Sequence, residues 1–365
     1  MKSMWKRVAI VLASATLAAC GGGGGGGGSS GSSGSGGGDS GAGPAAGDAR
    51  NGSYTAFVTN GSRQTLALNF DSSSYTWTDA DNAVQSGSFS ADAKEPGTYV
   101  FQSERITTAA NTARFHLAHD TVVGAFPFIA VQNASPTYAI QPFIASRSLE
   151  TQQAALDGVY NRFAIDLAPS GSTSNISQFR IDAGSTQLVR CDDANIPTID
   201  HCSLGKLEAW SIGPDSPGGL WTMTEVANPS NTARFALARI GDQKVFLIAG
   251  KSLSDPNKGS FRIGVPEGTD WPAGTGYGSA TPGSWGMVQV TADNTSTRSG
   301  TATDGSAVQT ANTFYAMGPD RPTGMRQLPG NDGQLFFAMQ GARIFAIVGS
   351  NSLGTGGYLQ LNLMD

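Results

Sequence analysis

The sequence predicts an all-β protein made of tandem antiparallel β units, and two features of the chain beyond residue 50 support this. The first is alternation of apolar and polar residues in short runs, as at Leu66, Leu68 and Phe70, which is the pattern of a half-buried strand. Turn residues separate the runs, and Asn60-Gly61 is a strong hairpin signal. One face of each sheet is therefore expected to lie in a core and the other to face water.

The second feature is a repeated hairpin. The segment Asn-Thr-Ala-Arg-Phe occupies 111–115 and again 231–235, and each copy continues through alternating Leu and Ala, a polar turn and a second apolar strand. A weaker third copy covers 334–348. The repeat predicts three units at 51–148, 156–268 and 280–365, each an eight-stranded barrel or a two-sheet sandwich. The alternative is a six-bladed β-propeller with two four-stranded blades per unit.

The first twenty residues carry an export signal. Three basic residues precede an apolar run at 8–17, which is shorter than the ~20 residues that cross a bilayer as a helix. The run ends in Leu17-Ala18-Ala19-Cys20, which resembles the lipobox of bacterial lipoprotein signals. The resemblance implies removal of 1–19 as a signal peptide and a diacylglyceryl thioether on the Cys20 sulfur. It also implies acylation of the new amino terminus, with palmitate as a typical chain.

A lipidated Cys20 would make the lipid bilayer a partner of this chain, reached through the acyl chains. Gly21-Gly22 carries no evident inner-membrane retention signal, which favours the outer membrane of the cell envelope. Residues 20–50 would then be the lipidated cysteine and a flexible Gly/Ser-rich tether, with an r.m.s. span of about 30 Å. The alternative is an ordinary secreted protein that is cut at Ala13-Ser14-Ala15.

The charge balance argues against one class of partner. The chain has 23 Lys and Arg against 28 Asp and Glu, a net charge of −5, and no basic run follows the export signal. Nucleic-acid binding relies on neutralising phosphates, so we expect no nucleic-acid partner. Charged residues make up only 14% of the chain, which suits an extracellular β-protein with neutral polar outer faces.

Two cysteines remain if Cys20 is lipidated, and they flank a polar, turn-rich loop in the second unit. A disulfide between Cys191 and Cys202 is the leading interpretation, because an oxidising compartment favours the bridge. The alternative is a metal site that also uses Asp192 and His201, but it lacks the CxxC spacing of structural zinc sites.

The sequence contains no catalytic signature. It has no G-x-S-x-G elbow, no H-E-x-x-H and no P-loop, so we predict no catalytic residues, no metal and no cofactor. Carboxylate pairs such as Asp79 and Asp81 fall in predicted turns, where aspartate is common for conformational reasons.

Two sets of residues are candidates for ligand contacts. Trp271 and Tyr277 lie in the Gly/Pro-rich segment 268–278, which is predicted to be an exposed loop between units and is the speculative binding site. Arg114 and Arg234 occupy equivalent positions in the repeat and could form paired sites for an acidic ligand. The favoured interpretation of these arginines is instead an outward-facing position in a core hairpin.

Two functions are compatible with these features. The first is a membrane-anchored envelope lipoprotein with a non-enzymatic role in binding, adhesion or assembly, partnered by another envelope protein or a glycan. The second is an envelope carbohydrate-active enzyme or glycan-binding protein. Facing carboxylates beside exposed tryptophans in a cleft would favour the second function.

Overall fold

The computed structural model describes 47–130, 137–168, 171–193, 197–216, 218–253, 255, 257–318, 320–329, 335–349 and 357–365. The predicted signal peptide, Cys20 and most of the predicted tether lie outside these residues. The segment Ala46–Asp365 forms one compact unit. Within the described ranges, no helix is long and apolar enough to cross a membrane.

The first unit is a closed antiparallel barrel of eight strands, which we call barrel 1. Each strand pairs with the next along the chain, and β1 closes the barrel by pairing with β8. The strands are β1 (Gly52–Val58), β2 (Arg63–Asn69), β3 (Ser74–Thr78), β4 (Val84–Ala91), β5 (Thr98–Gln102), β6 (Arg114–Ala118), β7 (Thr121–Ile129) and β8 (Tyr138–Ser146).

The second unit, barrel 2, repeats this topology after a short 3-10 helix at Gln153–Leu156. Its first and last strands also pair, so the barrel is closed. The strands are β9 (Gly158–Leu167), β10 (Thr173–Asp182), β11 (Gln187–Cys191), β12 (Leu207–Ser216), β13 (Leu220–Glu225), β14 (Thr232–Ile240), β15 (Gln243–Lys251) and β16 (Gly259–Pro266).

The third unit is an open sheet of nine strands in the order β20-β19-β18-β17-β25-β24-β23-β22-β21. Its strands are β17 (Gly274–Ala280), β18 (Ser284–Val290), β19 (Thr295–Thr301), β20 (Ala307–Thr313), β21 (Tyr315–Ala316), β22 (Met325–Pro329), β23 (Leu335–Gly341), β24 (Ile344–Gly349) and β25 (Leu359–Met364). The prediction of an all-β chain of tandem antiparallel units is confirmed, with barrels rather than sandwiches in the first two. The six-bladed propeller is wrong.

The third sheet is open at the position of Phe314. In barrel 1, β4 pairs with β3 over 84–88 and with β5 over 88–91, so one strand joins both halves of the barrel. In the third unit, β20 pairs with β19 and β21 pairs with β22, while Phe314 lies between them. Phe314 is buried against Trp271, with ring centroids 5.6 Å apart. The corresponding strand is therefore broken where Phe314 packs into the core.

The repeated hairpins recognised in the sequence are β6–β7, β14–β15 and β23–β24. Each unit has its own interior core, and the outer faces of these hairpins meet in a further apolar cluster, which we call the shared core. All three units contribute to it, for example through Val123, Phe163 and Leu361. Strands at this junction are buried on both faces, which explains their nearly continuous apolar sequence.

Backbone contacts also join barrel 1 to barrel 2. The segment after β8 runs along β14, where Leu149 bridges Ala238 and the Glu150 N–H donates to the Leu237 carbonyl at 2.8 Å. The Trp221 indole N–H donates to the Glu150 carbonyl at 3.0 Å. These bonds fix the edges of the barrels that border the candidate site.

Candidate functional site

A cleft with a volume of about 880 Å³ lies between barrels 1 and 2. Barrel 1 contributes the β1–β2 turn, the β3–β4 turn and the end of β7. Barrel 2 contributes parts of β13 and β14 and the segment 248–253 at the end of β15. Its volume is at the upper end of the roughly 300–1,000 Å³ that is common for ligand pockets. We call it the interbarrel cleft.

The β1–β2 turn forms one wall of the interbarrel cleft. Gly61 has a φ of +83°, a conformation that glycine adopts without strain. The Asn60 side-chain oxygen accepts a hydrogen bond from the Ser62 N–H at 2.8 Å and fixes the turn. A Cβ on Gly61 would lie 2.1 Å from the Gly250 carbonyl oxygen of barrel 2. Glycine is required here because the two barrels approach each other backbone to backbone.

The β3–β4 turn of barrel 1 also lines the cleft, and its Asp79 has a structural role. Asp79 Oδ1 accepts hydrogen bonds from the N–H groups of Asp81, at 3.0 Å, and Ala83, at 2.8 Å. Asn82 in the same turn has a φ of +61°. Asp79 therefore stabilises the turn, in agreement with the interpretation of this pair drawn from the sequence.

Positive charge dominates the interbarrel cleft although the chain is acidic overall. Four cationic residues line it against two carboxylates, Asp79 and Asp81. The cationic residues are Arg63, Arg105, Arg234 and Lys251. An acidic ligand would therefore enter a region of favourable potential.

Arg63 is one of the cleft cations that lack a carboxylate partner among the described residues. Its guanidinium has no ion pair or hydrogen bond with any residue that the structure describes. Burial lowers the pKa of Arg63, the nearby positive charge of Arg234 lowers it further, and Asp215 only partly opposes them. Arg234 itself is paired, with its Nε 3.0 Å from Asp215 Oδ2. An anion placed beside Arg63 would supply the missing partner.

Two unsatisfied polar atoms lie in the floor of the interbarrel cleft. Trp77 and Gln85 are direct cross-strand neighbours on β3 and β4. The Trp77 Nε1 donor and the Gln85 Oε1 acceptor are both buried without a hydrogen-bond partner, although Gln85 Nε2 donates to Ser103 Oγ at 2.9 Å. Both atoms have almost no accessible surface, so a ligand in the cleft does not contact them directly.

The candidate binding residues Trp271 and Tyr277 lie elsewhere and are buried. Trp271 is 7% exposed, and its indole N–H donates to the Gly324 carbonyl at 2.9 Å. Tyr277 is 9% exposed and belongs to β17, with its ring 5.1 Å from that of His116. Residues 268–273 form no strand and all but Trp271 are exposed, in agreement with the predicted loop. The prediction is wrong for 274–278, which belong to β17, so the third unit begins at Gly274 rather than at 280.

The remaining candidate residues have structural partners. Cys191 and Cys202 form a disulfide with a Cα–Cα distance of 5.7 Å, the pairing favoured by the sequence.

The two arginines of the repeat also have structural partners. Arg114 Nε lies 3.0 Å from Asp92 Oδ2, so each of these arginines pairs with a carboxylate near the end of the fourth strand of its own barrel. Among the described residues, no group of three or more His, Cys, Asp or Glu could hold a metal ion.

A second group of charges lies inside barrel 2 and is satisfied internally. Arg262 Nη1 lies 2.6 Å from Asp166 Oδ1, and Arg190 pairs with Glu208. Arg162 is fully buried on the same face of β9 as the core residue Tyr160. It donates to Ser177 Oγ at 2.7 Å and to Asn175 Oδ1 at 2.8 Å. Arg162 therefore has two neutral hydrogen-bond partners, whereas Arg63 has none among the described residues.

Comparisons with known proteins identify no family. No family model and no curated protein matches the chain. Among solved structures, the chain is similar to a crystal structure of a double mutant of the vaccine antigen transferrin-binding protein B from Haemophilus parasuis Hp5, at 8% identity and a TM-score of 0.21. The match covers 83% of this chain and 65% of that one. At this TM-score the likeness carries no argument about function.

Proposed function

We propose that this chain is a non-enzymatic binding protein of the bacterial envelope and that it takes an acidic ligand in the interbarrel cleft. The observation that carries the proposal is Arg63, a partly buried arginine that lines the cleft with Arg234 and has no ion-pair partner among the described residues. A partly buried cation near a like charge favours a counterion, because the neighbouring positive charge disfavours its charged form. A carboxylate or another anion of the ligand would provide the compensation.

The second part of the proposal is that a lipid anchor holds the protein at a membrane. The lipobox-like Leu17-Ala18-Ala19-Cys20 supports acylation of Cys20, and the Gly/Ser-rich stretch after it supports a tether. We propose the outer membrane as the site of the anchor. A flexible tether of this composition would let the interbarrel cleft sample orientations above the membrane surface.

Binding of simple acidic probes tests the role of the cleft. We expect the full chain to bind labelled hexaglutamate or a polygalacturonate oligomer, with affinity that falls as salt is raised. Arg63→Ala should weaken binding of the probe about tenfold, because it removes a partly buried charge partner. Arg180→Ala, which removes an exposed arginine outside the cleft, is the matched control and should leave affinity unchanged.

Fluorescence anisotropy or titration calorimetry would measure these affinities. Failure of both acidic probes to bind would overturn the proposed function. Equal losses for Arg63→Ala and Arg180→Ala would also overturn it, because binding would then follow overall charge rather than the cleft.

A further inference from the structure

We propose that the natural occupant of the interbarrel cleft is an acidic segment of another protein that also carries apolar side chains. This inference rests on the proposed function and names the class of its ligand. Three properties of the cleft carry it: exposed aliphatic residues around its opening, the burial of its aromatic rings, and the arginines that lie beside the aliphatic residues.

Exposed aliphatic side chains gather around the cleft. Val84 is 64% exposed, Ile129 51% and Leu253 47%, and all three line the cleft. They come from three different parts of the chain, at the start of β4, the end of β7 and just beyond β15. We call these residues the apolar rim. Clustered exposed apolar side chains mark sites of association with other molecules, since burying them there removes apolar area from water.

The aromatic residues of the cleft do not form a platform for sugars. Trp77 packs edge-on against Phe128 and Phe143, with ring centroids 5.0 Å apart in both pairs, and is only 2% exposed. The other described tryptophans are buried as well. Sugar recognition by stacking requires an exposed ring face, whereas the exposed apolar residues that line the cleft are aliphatic, and the neighbouring Tyr138 ring is stacked with the Arg105 guanidinium. This difference favours a polypeptide over a saccharide.

The cations of the cleft suit carboxylate side chains. The Arg105 guanidinium lies 4.3 Å from the centre of the Tyr138 ring, which restrains it next to the apolar rim. Arginine binds carboxylates through two parallel hydrogen bonds, and arginine beside apolar residues is typical of protein interfaces. A ligand segment in which acidic residues alternate with aliphatic ones would pair with the cations of the cleft and would also bury the apolar rim.

A panel of labelled twelve-residue peptides tests the inference on the full chain. One peptide alternates Glu or Asp with Leu or Val, and a second has Ser in place of each aliphatic residue. We expect the acidic–apolar peptide to bind at least tenfold more tightly than the acidic–polar one. The double variant Val84→Ser, Ile129→Ser should abolish this difference, because it removes the apolar rim. Val226→Ser, at an exposed valine outside the cleft, is the matched control and should preserve the difference.

The outcomes separate the inference from the proposed function. If polygalacturonate binds more tightly than both peptides and still depends on Arg63, the cleft takes a saccharide, so the inference is overturned and the proposed function stands. If the rim variant retains the full preference for the acidic–apolar peptide, the inference is also overturned. If the binding of no acidic probe depends on Arg63, both the inference and the proposed function are overturned.

Discussion

Phe163→Ala is expected to lower the free energy of unfolding by about 3–5 kcal/mol, the usual cost of truncating a fully buried phenylalanine. Phe163 lies on β9 and is 0% exposed in the shared core, where all three units meet. We therefore expect the whole folded region to unfold in one cooperative transition. The substitution should shift that transition, not a separate unfolding transition of barrel 2. Urea unfolding followed by tryptophan fluorescence and circular dichroism would measure it.

Tryptophans in all three units make fluorescence a suitable probe, with Trp77 in barrel 1, Trp221 in barrel 2 and Trp285 in the third unit. Phe101→Ala, which removes the same side chain from the interior core of barrel 1, calibrates the size of the effect. Several resolved transitions, of which Phe163→Ala moves only one, would contradict the shared core as the element that unites the three units.

Cys20→Ala is expected to abolish membrane association completely. Several acyl chains on one residue, at about 0.8 kcal/mol for each buried methylene, would make dissociation of the lipidated protein negligible, whereas alanine can carry no thioether. Intact mass and membrane fractionation of protein from its native host would show acyl mass on a wild-type chain that starts at Cys20. The variant should be soluble or retained as an unprocessed precursor.

The double variant Cys191→Ala, Cys202→Ala is the control for loss of a thiol as such. It lacks the disulfide of barrel 2 and should keep both the acyl mass and the membrane location. A soluble, unmodified wild type cut near Ala15 would contradict the anchor and leave an ordinary secreted protein as the better description.

Local patterns explain which parts of the fold could be predicted. The hairpins β6–β7 and β14–β15 were recognisable because their strands are adjacent in sequence and the same five residues open both of them. The sequence predicts a loop over 268–278, and this fails for 274–278 because the glycines of a strand resemble those of a loop. In the structure a Cβ on Gly278 would lie 1.9 Å from the Leu361 carbonyl oxygen on β25. These glycines permit close strand approach, a role that sequence alone does not separate from a turn.

The interbarrel cleft could not be predicted, because it depends on how two barrels pack. Arg63 and Trp77 come from barrel 1, whereas Arg234 and Leu253 come from barrel 2, and no motif links them. Arg234 did stand out in the repeat, and its pairing with Asp215 explains why that position holds an arginine. Its position in the cleft depends on how barrel 2 packs against barrel 1, which the repeat does not indicate.

The most direct test of the cleft as a binding site is hydrogen–deuterium exchange of the full chain with and without the acidic–apolar peptide. We predict slower exchange on both sides of the cleft at once, in 60–64 and 79–85 of barrel 1 and in 248–253 of barrel 2. Segment 268–278, which holds Trp271 and Tyr277, should be unchanged. Protection confined to one barrel, or found at 268–278 instead, would contradict the account.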